Sequence, residues 1–326
     1  MKRLERRPPY AYEFSKGTPP QLHVLQGESF VLETEDSLSG GVRSRRQLRS
    51  LAGLPGRDST PPLANPLSGP VFVEGAEPGD LLEVTVEDIA VDSQGQLVFL
   101  PNSVPAEFRA RWPELGEPSI SIFKHATPGP GRSSKPEIVV DDATRWPLAP
   151  MIGTIGVAPD REVESSATGQ GPWGGNLDCK DIRKGVTVQL NCYHNGGLLS
   201  VGDVHGSQGD TEFCGGADET RASVRLSCRV VKRRRIPFPR LDTEDSLVAL
   251  CSDKPLESAV MGAVLNLADW LVGEHGYTPR QFCLHASANP DFRIRVYQMA
   301  RVDRIRYTVG AELPKSYLVG SRGPRA

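Results

Sequence analysis

The chain has 326 residues, of which 38% are hydrophobic and 24% are charged, and its formal net charge is −2. This balance is typical of a folded globular protein and argues against nucleic acid as its main partner. The sequence contains no run of about 18 apolar residues, so no membrane span is expected. The N-terminus lacks a secretory signal, and the six cysteines show no CxxC spacing. Both features favour reduced thiols and a cytoplasmic location.

Alternation of apolar and polar residues predicts strands in the first half of the chain, and clusters of proline and glycine predict loops. In chain order these patterns predict an arm crossing the surface (1–20), two strands around Gly27 (21–36), a long loop (40–69), two strands around a turn at 77–80 (69–91), a loop (127–136) and a buried strand closed by a proline (151–159).

The second half begins with further strand patterns. Residues 186–204 predict a β-hairpin that turns at Asn195-Gly196, because this dipeptide is the strongest short-range signal of a hairpin. Another strand is predicted at 223–231.

Only the C-terminal part has helical spacing. Val260, Val264, Leu267 and Leu271 form one apolar stripe within residues 256–276, and Gly276 is predicted to end this helix. The capping-box pattern Thr278-Pro279-Arg280-Gln281 predicts a second, short helix.

These elements predict a mainly β, α+β fold with a sandwich-like or barrel-like core and a small C-terminal helical portion. Two domain divisions are consistent with the pattern. One has an N-terminal arm (1–20), a β-rich region (21–160) and a metal-site region with the C-terminal helices (161–326). The other has a single continuous domain over 21–320.

Acids, glycines and His205 are concentrated in three short motifs within residues 174–219. This segment contains Gly-Gly-Asn-Leu-Asp (174–178), Gly-Asp-Val-His-Gly (202–206) and Gln-Gly-Asp-Thr-Glu (208–212). Glycines let a backbone or ligand approach closely, because they have no Cβ. Carboxylates and imidazoles bind divalent metals or transfer protons. This segment is therefore the predicted reactive site.

Strand geometry suggests how the acids converge. Residues i and i+2 of a strand share a face, so Asp203 would project with His205, and Asp210 with Glu212. If these pairs meet Asp178, the like charges need a cation or protons to hold them together. Mixed histidine and carboxylate donors predict a divalent metal, with Zn²⁺ the preferred ion. The alternative is a set of solvated turn residues, because Asp and Gly are both common in turns.

Several blocks together resemble the acetamidase/formamidase family of small-amide hydrolases. They are residues 69–84, 151–159, 174–182 and 198–219, and the likeness runs from about His23 to Leu318. The resemblance implies a β-rich fold, a metal at the acidic cluster, usually zinc, and hydrolysis of a short carboxamide such as formamide or acetamide to the acid and ammonia. It also implies a homo-oligomer whose partner is a small amide, with no role for nucleic acid or membrane.

A mechanistic hypothesis for amide hydrolysis assigns roles to individual residues of these motifs. Asp178, His205 and Asp203 are assigned as metal ligands, and Glu212 as the base that moves the proton. Asp210 is assigned to catalysis, with ligation in place of Asp203 as its alternative. The remaining candidates are Asn176 as a hydrogen-bond partner of the substrate amide, the N–H groups of Gly174 and Gly175 as donors to the oxyanion, and Asp36 as a further acid near the site.

Three places depart from the family pattern, and one of them is Asn191-Cys192, which replaces the Pro-Val block before the hairpin turn. Trp173 stands where many members have histidine, and Thr211 stands where they have glycine. His194 is either a surface turn residue or a substitute for the missing histidine, and Trp173 would lie at the edge of the pocket. The departures leave two alternatives to amide hydrolysis. One is a hydrolase of another C–N bond in a lactam, urea or amidine, and the other is a small-molecule-binding homologue with altered catalysis.

Overall fold

Strands dominate the computed structural model, which describes residues 1–47, 63–127, 135–301 and 304–318. The strands are β1 (Lys2–Leu4), β2 (Glu13–Ser15), β3 (Leu22–Val24), β4 (Phe30–Thr34), β5 (Leu67–Val73), β6 (Leu81–Val91), β7 (Gln94–Phe99), β8 (Ser119–Ala126), β9 (Glu137–Val139), β10 (Arg145–Pro147), β11 (Met151–Gly156), β12 (Val163–Ser165), β13 (Gln170–Gly171), β14 (Gly174–Asn176), β15 (Thr187–Asn191), β16 (Leu199–His205), β17 (Glu219–Thr220), β18 (Ala222–Val231), β19 (Arg240–Asp242), β20 (Ser246–Asp253), β21 (Arg293–Gln298) and β22 (Tyr307–Pro314). The α-helices are α1 (Ala106–Arg111), α2 (Leu256–Glu274) and α3 (Pro279–Ala288).

Two large sheets enclose the main core. The first has nine strands in the order β1-β4-β18-β6-β15-β19-β20-β22-β21. The second has eleven, in the order β10-β9-β8-β7-β17-β16-β11-β14-β13, with β5 paired to β16 and β3 paired to β5. Buried side chains of both sheets form one apolar cluster, with Leu32 and Val84 from the first sheet and Ile152 and Val201 from the second. The predicted mainly β fold with a sandwich-like core is therefore confirmed.

The C-terminal helices are also confirmed. The buried face of α2 packs on β20 and β22 through Ala263, Leu267 and Leu271, which join a second, smaller apolar cluster. Gly276, with a φ of +71°, follows the end of α2, and the capping box at Thr278 begins α3. Among the described residues, α2 is long and apolar enough to cross a membrane by length and composition alone, a property that core helices of globular proteins share.

Three predicted strand–turn–strand units cross between the sheets instead of closing hairpins. The turn at Gly27 joins β3 of the eleven-stranded sheet to β4 of the nine-stranded sheet, and the turn at 77–80 joins β5 to β6 in the same way. The turn itself forms as expected, with a hydrogen bond of 3.1 Å from Asp80 N to Glu77 O. Local turn signals therefore identify the turns but not the partners of the flanking strands.

The predicted hairpin at Asn195-Gly196 is wrong for this reason. β15 pairs with β6 and β19, whereas β16 pairs with β5, β11 and β17. The backbone of Gly196 is hydrogen-bonded to Val73 and Ala76, at the connection between β5 and β6. The connector is thus held by another crossing segment, and it carries the chain from one sheet to the other.

The predicted N-terminal arm is held by strand pairing at two places. β1 pairs in parallel with β4, and β2 pairs with β12. Both large sheets draw strands from either side of residue 160, and the division into domains stays a prediction. Of the two predicted loops, residues 48–62 and 128–134 lie outside the described part of the chain.

Candidate functional site

Five titratable side chains meet at the ends of neighbouring inner strands of the eleven-stranded sheet. Asp203 and His205 lie on β16, Glu219 lies opposite His205 on β17, and Asp178 follows β14. Glu212 lies in a 3-10 turn formed by Asp210–Glu212. All five residues are buried, with exposures between 0% for His205 and 7% for Glu212 and Glu219. The sequence prediction that Asp178, Asp203, His205 and Glu212 converge agrees with this geometry.

The ligand-type atoms of these residues form two overlapping groups. Those of Asp178, Asp203 and His205 lie within 4.8 Å of one another, and so do those of His205, Glu212 and Glu219. The Nε2 atom of His205 is 3.6 Å from Asp203 Oδ1 and 3.4 Å from Glu219 Oε1. His205 is thus shared by both groups and lies at the centre of the site.

Gln208 determines which nitrogen of His205 carries its proton. The Gln208 amide nitrogen donates to the backbone carbonyl oxygens of Asp178 (2.5 Å) and Tyr297 (3.1 Å). Its Oε1 therefore faces His205 Nδ1, at 3.0 Å. Because Oε1 can only accept, Nδ1 must donate, and the lone pair of a neutral His205 is on Nε2. This orientation of a histidine by its outer nitrogen is typical of metal ligands.

Several buried atoms at the centre of the site lack hydrogen-bond partners among the described residues. They are His205 Nε2, Asp178 Oδ1 and Glu219 Oε2. Asp203 is held from behind, because its Oδ2 accepts from Asn65 Nδ2 (2.7 Å) and Thr154 Oγ1 (3.2 Å). The donor set of one imidazole nitrogen and several carboxylate oxygens, with unpaired atoms facing inward, fits a divalent cation.

Gly153 on β11 provides the space in which two of the carboxylates approach each other. A Cβ atom at this position would lie 2.8 Å from Asp178 Oδ1 and 2.9 Å from Asp203 Oδ2. A side chain at position 153 would therefore displace the proposed ligands. The buried strand 151–159 was predicted from the sequence, but its part in the site was not.

Burial controls the protonation of the acids. It raises the pKa of Asp178 to about 6 and that of Asp203 to about 8. Burial and the neighbouring Asp178 carboxylate together raise the pKa of Glu212 well above its usual range. Burial also acts to raise the pKa of Glu219, but the positive charge of a protonated His205 outweighs it and lowers that pKa to about 2. Burial acts to lower the pKa of His205, but Glu219 and Asp203 hold that pKa well above its usual value. The site thus holds protons near neutral pH unless a cation replaces them.

The backbone of the site is conformationally costly. Asp178 (φ +43°), Asp203 (φ +55°), Thr211 (φ +74°) and Glu212 (φ +44°) all adopt left-handed conformations, as does Asn65 (φ +58°) beside Asp203. Residues other than glycine rarely do so, and such conformations concentrate at functional sites. These dihedral angles explain why a plain strand geometry does not describe residues 203–212.

Asp210 lies apart from the other acids. The expectation that it shares a strand face with Glu212 is wrong, because residues 210–212 form a turn with Thr211 in the left-handed region. Asp210 is exposed, and its Oδ1 is 2.7 Å from Lys180 Nζ. Its predicted catalytic or ligand role is not supported by this position.

Three predicted site residues are part of the packed interior. Trp173 is 2% exposed and its ring centroid lies 5.0 Å from that of Phe14, so it does not line a pocket edge. Gly174 and Gly175 lie in β14, which is paired on both sides by β11 and β13. A Cβ at Gly175 would lie 2.1 Å from Gly169 O. The two glycines thus permit close packing of neighbouring strands. This position does not support the prediction that their N–H groups donate to the oxyanion.

The Asn176 side chain is also engaged in the fold. Its Oδ1 accepts from Thr154 Oγ1 (2.8 Å), and its Nδ2 donates to Ala167 O (2.9 Å). Through Thr154 it supports Asp203. This arrangement makes Asn176 a positioning residue and does not support the predicted contact with a substrate amide.

The last two candidates lie outside both ligand groups. Asp36 is fully buried, and its Oδ1 accepts from the backbone N–H groups of Leu38 and Gly40. His194 donates from Nε2 to Pro159 O at 2.7 Å. It lies in the connector before β16, whereas the acids gather at the other end of that strand. The position of His194 therefore does not support its role as a substitute metal ligand.

Sequence reasoning missed Glu219 and Gln208 as site residues. Glu219 reaches His205 only because β17 pairs with β16, and no local spacing indicates that pairing. Gln208 lies within the Gln-Gly-Asp-Thr-Glu motif and three residues after His205, so the motif contained a signal for it. A second buried pair, His125 and Asp218, lies beside Glu219 with Nε2 and Oδ2 2.9 Å apart.

The strained conformation at Thr211 predicts a stabilising substitution. A left-handed L-residue costs about 1–2 kcal/mol, whereas the extra freedom of glycine in the unfolded chain costs about 0.5–1 kcal/mol. We expect Thr211→Gly to raise the free energy of unfolding, measured with urea, by about 0.5–1 kcal/mol. The matched change Thr187→Gly, in strand β15, should lower it. Equal destabilisation by both changes would contradict the strain at position 211.

The buried acids predict an unusual dependence of stability on pH. Because the folded state raises the pKa values of Asp178 and Asp203 from 3.8 to about 6 and about 8, their protons stabilise the fold fully below about pH 4, and this stability is lost as the pH rises through both values. We expect the thermal midpoint of chelator-treated protein to fall between about pH 5 and pH 8, and Zn²⁺ to restore it most at the higher pH. A midpoint that rises over this range would contradict the assignment.

Comparison with known proteins supports the family resemblance. The family model of the acetamidase/formamidase family matches residues 9–171 and 167–241. The chain is 27% identical over 251 residues to an acetamidase from Mycolicibacterium smegmatis, covering 60% of each chain. It is also 27% identical over 236 residues to a formamidase from Methylophilus methylotrophus, covering 59% of this chain and 57% of that protein. The chain thus matches about 60% of the length of these curated relatives.

A solved structure extends the likeness over nearly the whole chain. The crystal structure of an acetamidase from Bacillus halodurans superposes with a TM-score of 0.81 at 30% sequence identity, and the match covers 94% of this chain and 96% of that one. The resemblance seen in the motif blocks is confirmed. The chain belongs to the acetamidase/formamidase family.

Proposed function

We propose that this chain hydrolyses a short carboxamide, such as formamide or acetamide, to the carboxylate and ammonia. We further propose that it uses a divalent metal, preferably Zn²⁺, held by Asp178, Asp203 and His205. The observation that carries the proposal is the buried Nε2 of His205, which has no hydrogen-bond partner among the described residues, lies within 3.6 Å of two carboxylates and is oriented by Gln208 from the other side of the ring. Family membership supports the same reaction.

Amide hydrolysis makes three demands on a site. The amide nitrogen donates into the carbonyl and leaves as a poor anion, so water must lose a proton, the carbonyl oxygen must be stabilised, and the nitrogen must gain a proton. A divalent cation bound by this donor set would polarise the carbonyl and lower the pKa of a bound water to about 7. The proton transfers remain for the side chains of the chain.

Glu212 is the residue best placed to move the proton. It is 7% exposed and lies beside the Asp178 carboxylate. With a cation beside the carboxylates, Glu212 would be ionised, so that it can accept a proton from the attacking water. The burial that raises its pKa favours the protonated carboxyl that then donates to the departing amine. The sequence prediction of Glu212 as the general base is retained in this proposal.

The remaining residues position the reacting groups. Asn65 and Thr154 fix Asp203 through one oxygen, which leaves Oδ1 towards His205. Gln208 ties His205 to the backbone of Asp178 and Tyr297. Such outer contacts hold ligands in one orientation and support their basicity.

We also propose a cytoplasmic homo-oligomer. All six cysteines are free and none pairs in a disulfide, which is consistent with a reducing compartment. Exposed apolar side chains on α2, namely Met261, Leu265 and Val272, are consistent with contact between subunits. Light scattering on the purified protein measures the subunit number.

Substitution of Glu212 tests the proton transfer. We expect Glu212→Gln to fold normally, to retain metal and to lose at least about 10²-fold in kcat, because it cannot accept a proton. Asp210→Asn should keep most of the activity, since that acid is exposed and paired with Lys180. Ammonia release from acetamide provides the rate. Full activity of the Glu212 variant would remove Glu212 from the mechanism. A loss of activity in the Asp210 variant alone would assign the proton transfer to Asp210 instead.

Metal removal tests the cofactor. Dialysis against a chelator should abolish ammonia release, and added Zn²⁺ should restore it, because a bound cation would polarise the amide carbonyl and make the attacking water more acidic. The assay should include formamide, acetamide, a lactam, urea and an amidine, so that the bond cleaved is identified as well. Undiminished hydrolysis by thoroughly metal-free protein would show that the acids act through protons alone.

A further inference from the structure

Two buried glutamine side chains have no hydrogen-bond partner at either amide atom among the described residues. They are Gln96, which is 1% exposed, and Gln298, which is 0% exposed. A glutamine amide has two donor hydrogens and an acceptor oxygen, and buried polar groups of this kind are normally paired. Two buried side-chain amides without hydrogen bonds therefore require an explanation.

Gln170 shows what a structural glutamine looks like in this protein. Its Nε2 donates to Asn176 O, Arg306 O and Thr308 Oγ1 at 2.8–3.2 Å, and its Oε1 accepts from Arg306 N at 2.7 Å. The fold can thus satisfy a buried amide completely. The amides of Gln96 and Gln298 differ from Gln170 in having no such contacts.

Gln298 is attached to the acid site through both of its chain neighbours. The carbonyl oxygen of Tyr297 accepts from Gln208, the residue that orients His205. The N–H of Met299 donates to Thr211 O at 2.7 Å, next to Glu212. Burial raises the pKa of Asp178 to about 6, and the Gln298 amide N–H group, which approaches the Asp178 carboxylate without forming a regular hydrogen bond, opposes this rise. Gln298 therefore lies beside Asp178, at the edge of the nine-stranded sheet.

Gln96 reaches the site from the eleven-stranded sheet. It is directly opposite Glu219 in the pairing of β7 with β17, and Glu219 is directly opposite His205 in the pairing of β17 with β16. Directly opposed residues of antiparallel strands project to the same face, with their Cβ atoms about 4.5–5.5 Å apart. Gln96, Glu219 and His205 thus form one row of side chains across the sheet.

A carboxamide is the chemical complement of these two side chains. Its oxygen accepts from an amide NH₂, and its own NH₂ donates to an amide oxygen, so one glutamine can pair with it through both atoms while the other accepts from the remaining N–H. We propose that Gln96 and Gln298 bind the carboxamide group of the substrate and make the site selective for amides over esters. This inference rests on the proposed amide hydrolysis and adds the residues that recognise the amide.

The selectivity follows from the missing hydrogens of an ester. An ester of the same acyl group has the carbonyl but no N–H, so it leaves the glutamine oxygens unpaired in a buried site. Sites built around hydrogen bonds reject such analogues strongly. The unpaired amides also cost stability in the free protein, which is a common consequence of building a binding site into a core.

The test uses methionine substitutions, which keep the length of the side chain and remove its hydrogen bonds. We expect Gln298→Met and Gln96→Met each to lower kcat/KM for acetamide by at least about tenfold, mostly through KM. Activity on methyl acetate should change much less, so the amide-to-ester ratio falls. The thermal midpoint of each variant should stay equal to that of the wild type or rise, because an unpaired buried amide is removed.

Gln170→Met is the matched control. It breaks four hydrogen bonds away from the reacting groups, so it should lower the thermal midpoint by at least a few degrees without a change in the amide-to-ester ratio. If the wild type hydrolyses acetamide but Gln96→Met and Gln298→Met both keep its amide-to-ester ratio, this inference is overturned and the proposed function stands. A metal-loaded wild type that hydrolyses no amide would overturn the proposed function and this inference with it.

Discussion

Four carboxyl groups surround one imidazole in a buried volume, and their mutual repulsion constrains the whole site. Asp178, Asp203, Glu212 and Glu219 cannot all be ionised there beside a neutral His205, because water does not screen them. Either protons or a cation must compensate the charge. The raised pKa values describe the first state, and the unpaired Nε2 and carboxylate oxygens are the atoms that would bind a cation in the second. The same constraint would connect the stability of the fold with the proposed metal binding and catalysis.

The fold sustains this arrangement by fixing backbone conformations that the individual residues disfavour. Left-handed residues at 178, 203, 211 and 212 aim the acids inward, and Gly153 leaves room where two of them approach. The large core between the two sheets supplies the stability that offsets the strain. The site lies where β17 and the end of β21 bring Glu219 and Gln298 towards β16, so neither sheet forms the site alone.

The sequence predicts the chemistry of the site better than its geometry. Asp178, Asp203, His205 and Glu212 are recognisable because they lie in short motifs with glycines, and the C-terminal helices follow from local spacing and capping. Glu219 and Gln96 are not recognisable, since they reach the site through pairing between distant strands. Asp210 was misplaced because one left-handed residue, Thr211, separates it from Glu212. The hairpin at Asn195-Gly196 was wrong because a turn signal does not reveal whether the next strand joins the same sheet.

Calorimetric titration of metal-free protein with Zn²⁺ tests the exchange of protons for a cation most directly. Repeating the titration near pH 7 in buffers with different ionisation enthalpies counts the protons released on binding. The buried acids predict saturable binding with net release of protons, and a large loss of affinity in His205→Ala. Binding without proton release, or no binding by the wild type, would contradict a site in which a cation replaces protons among buried carboxylates.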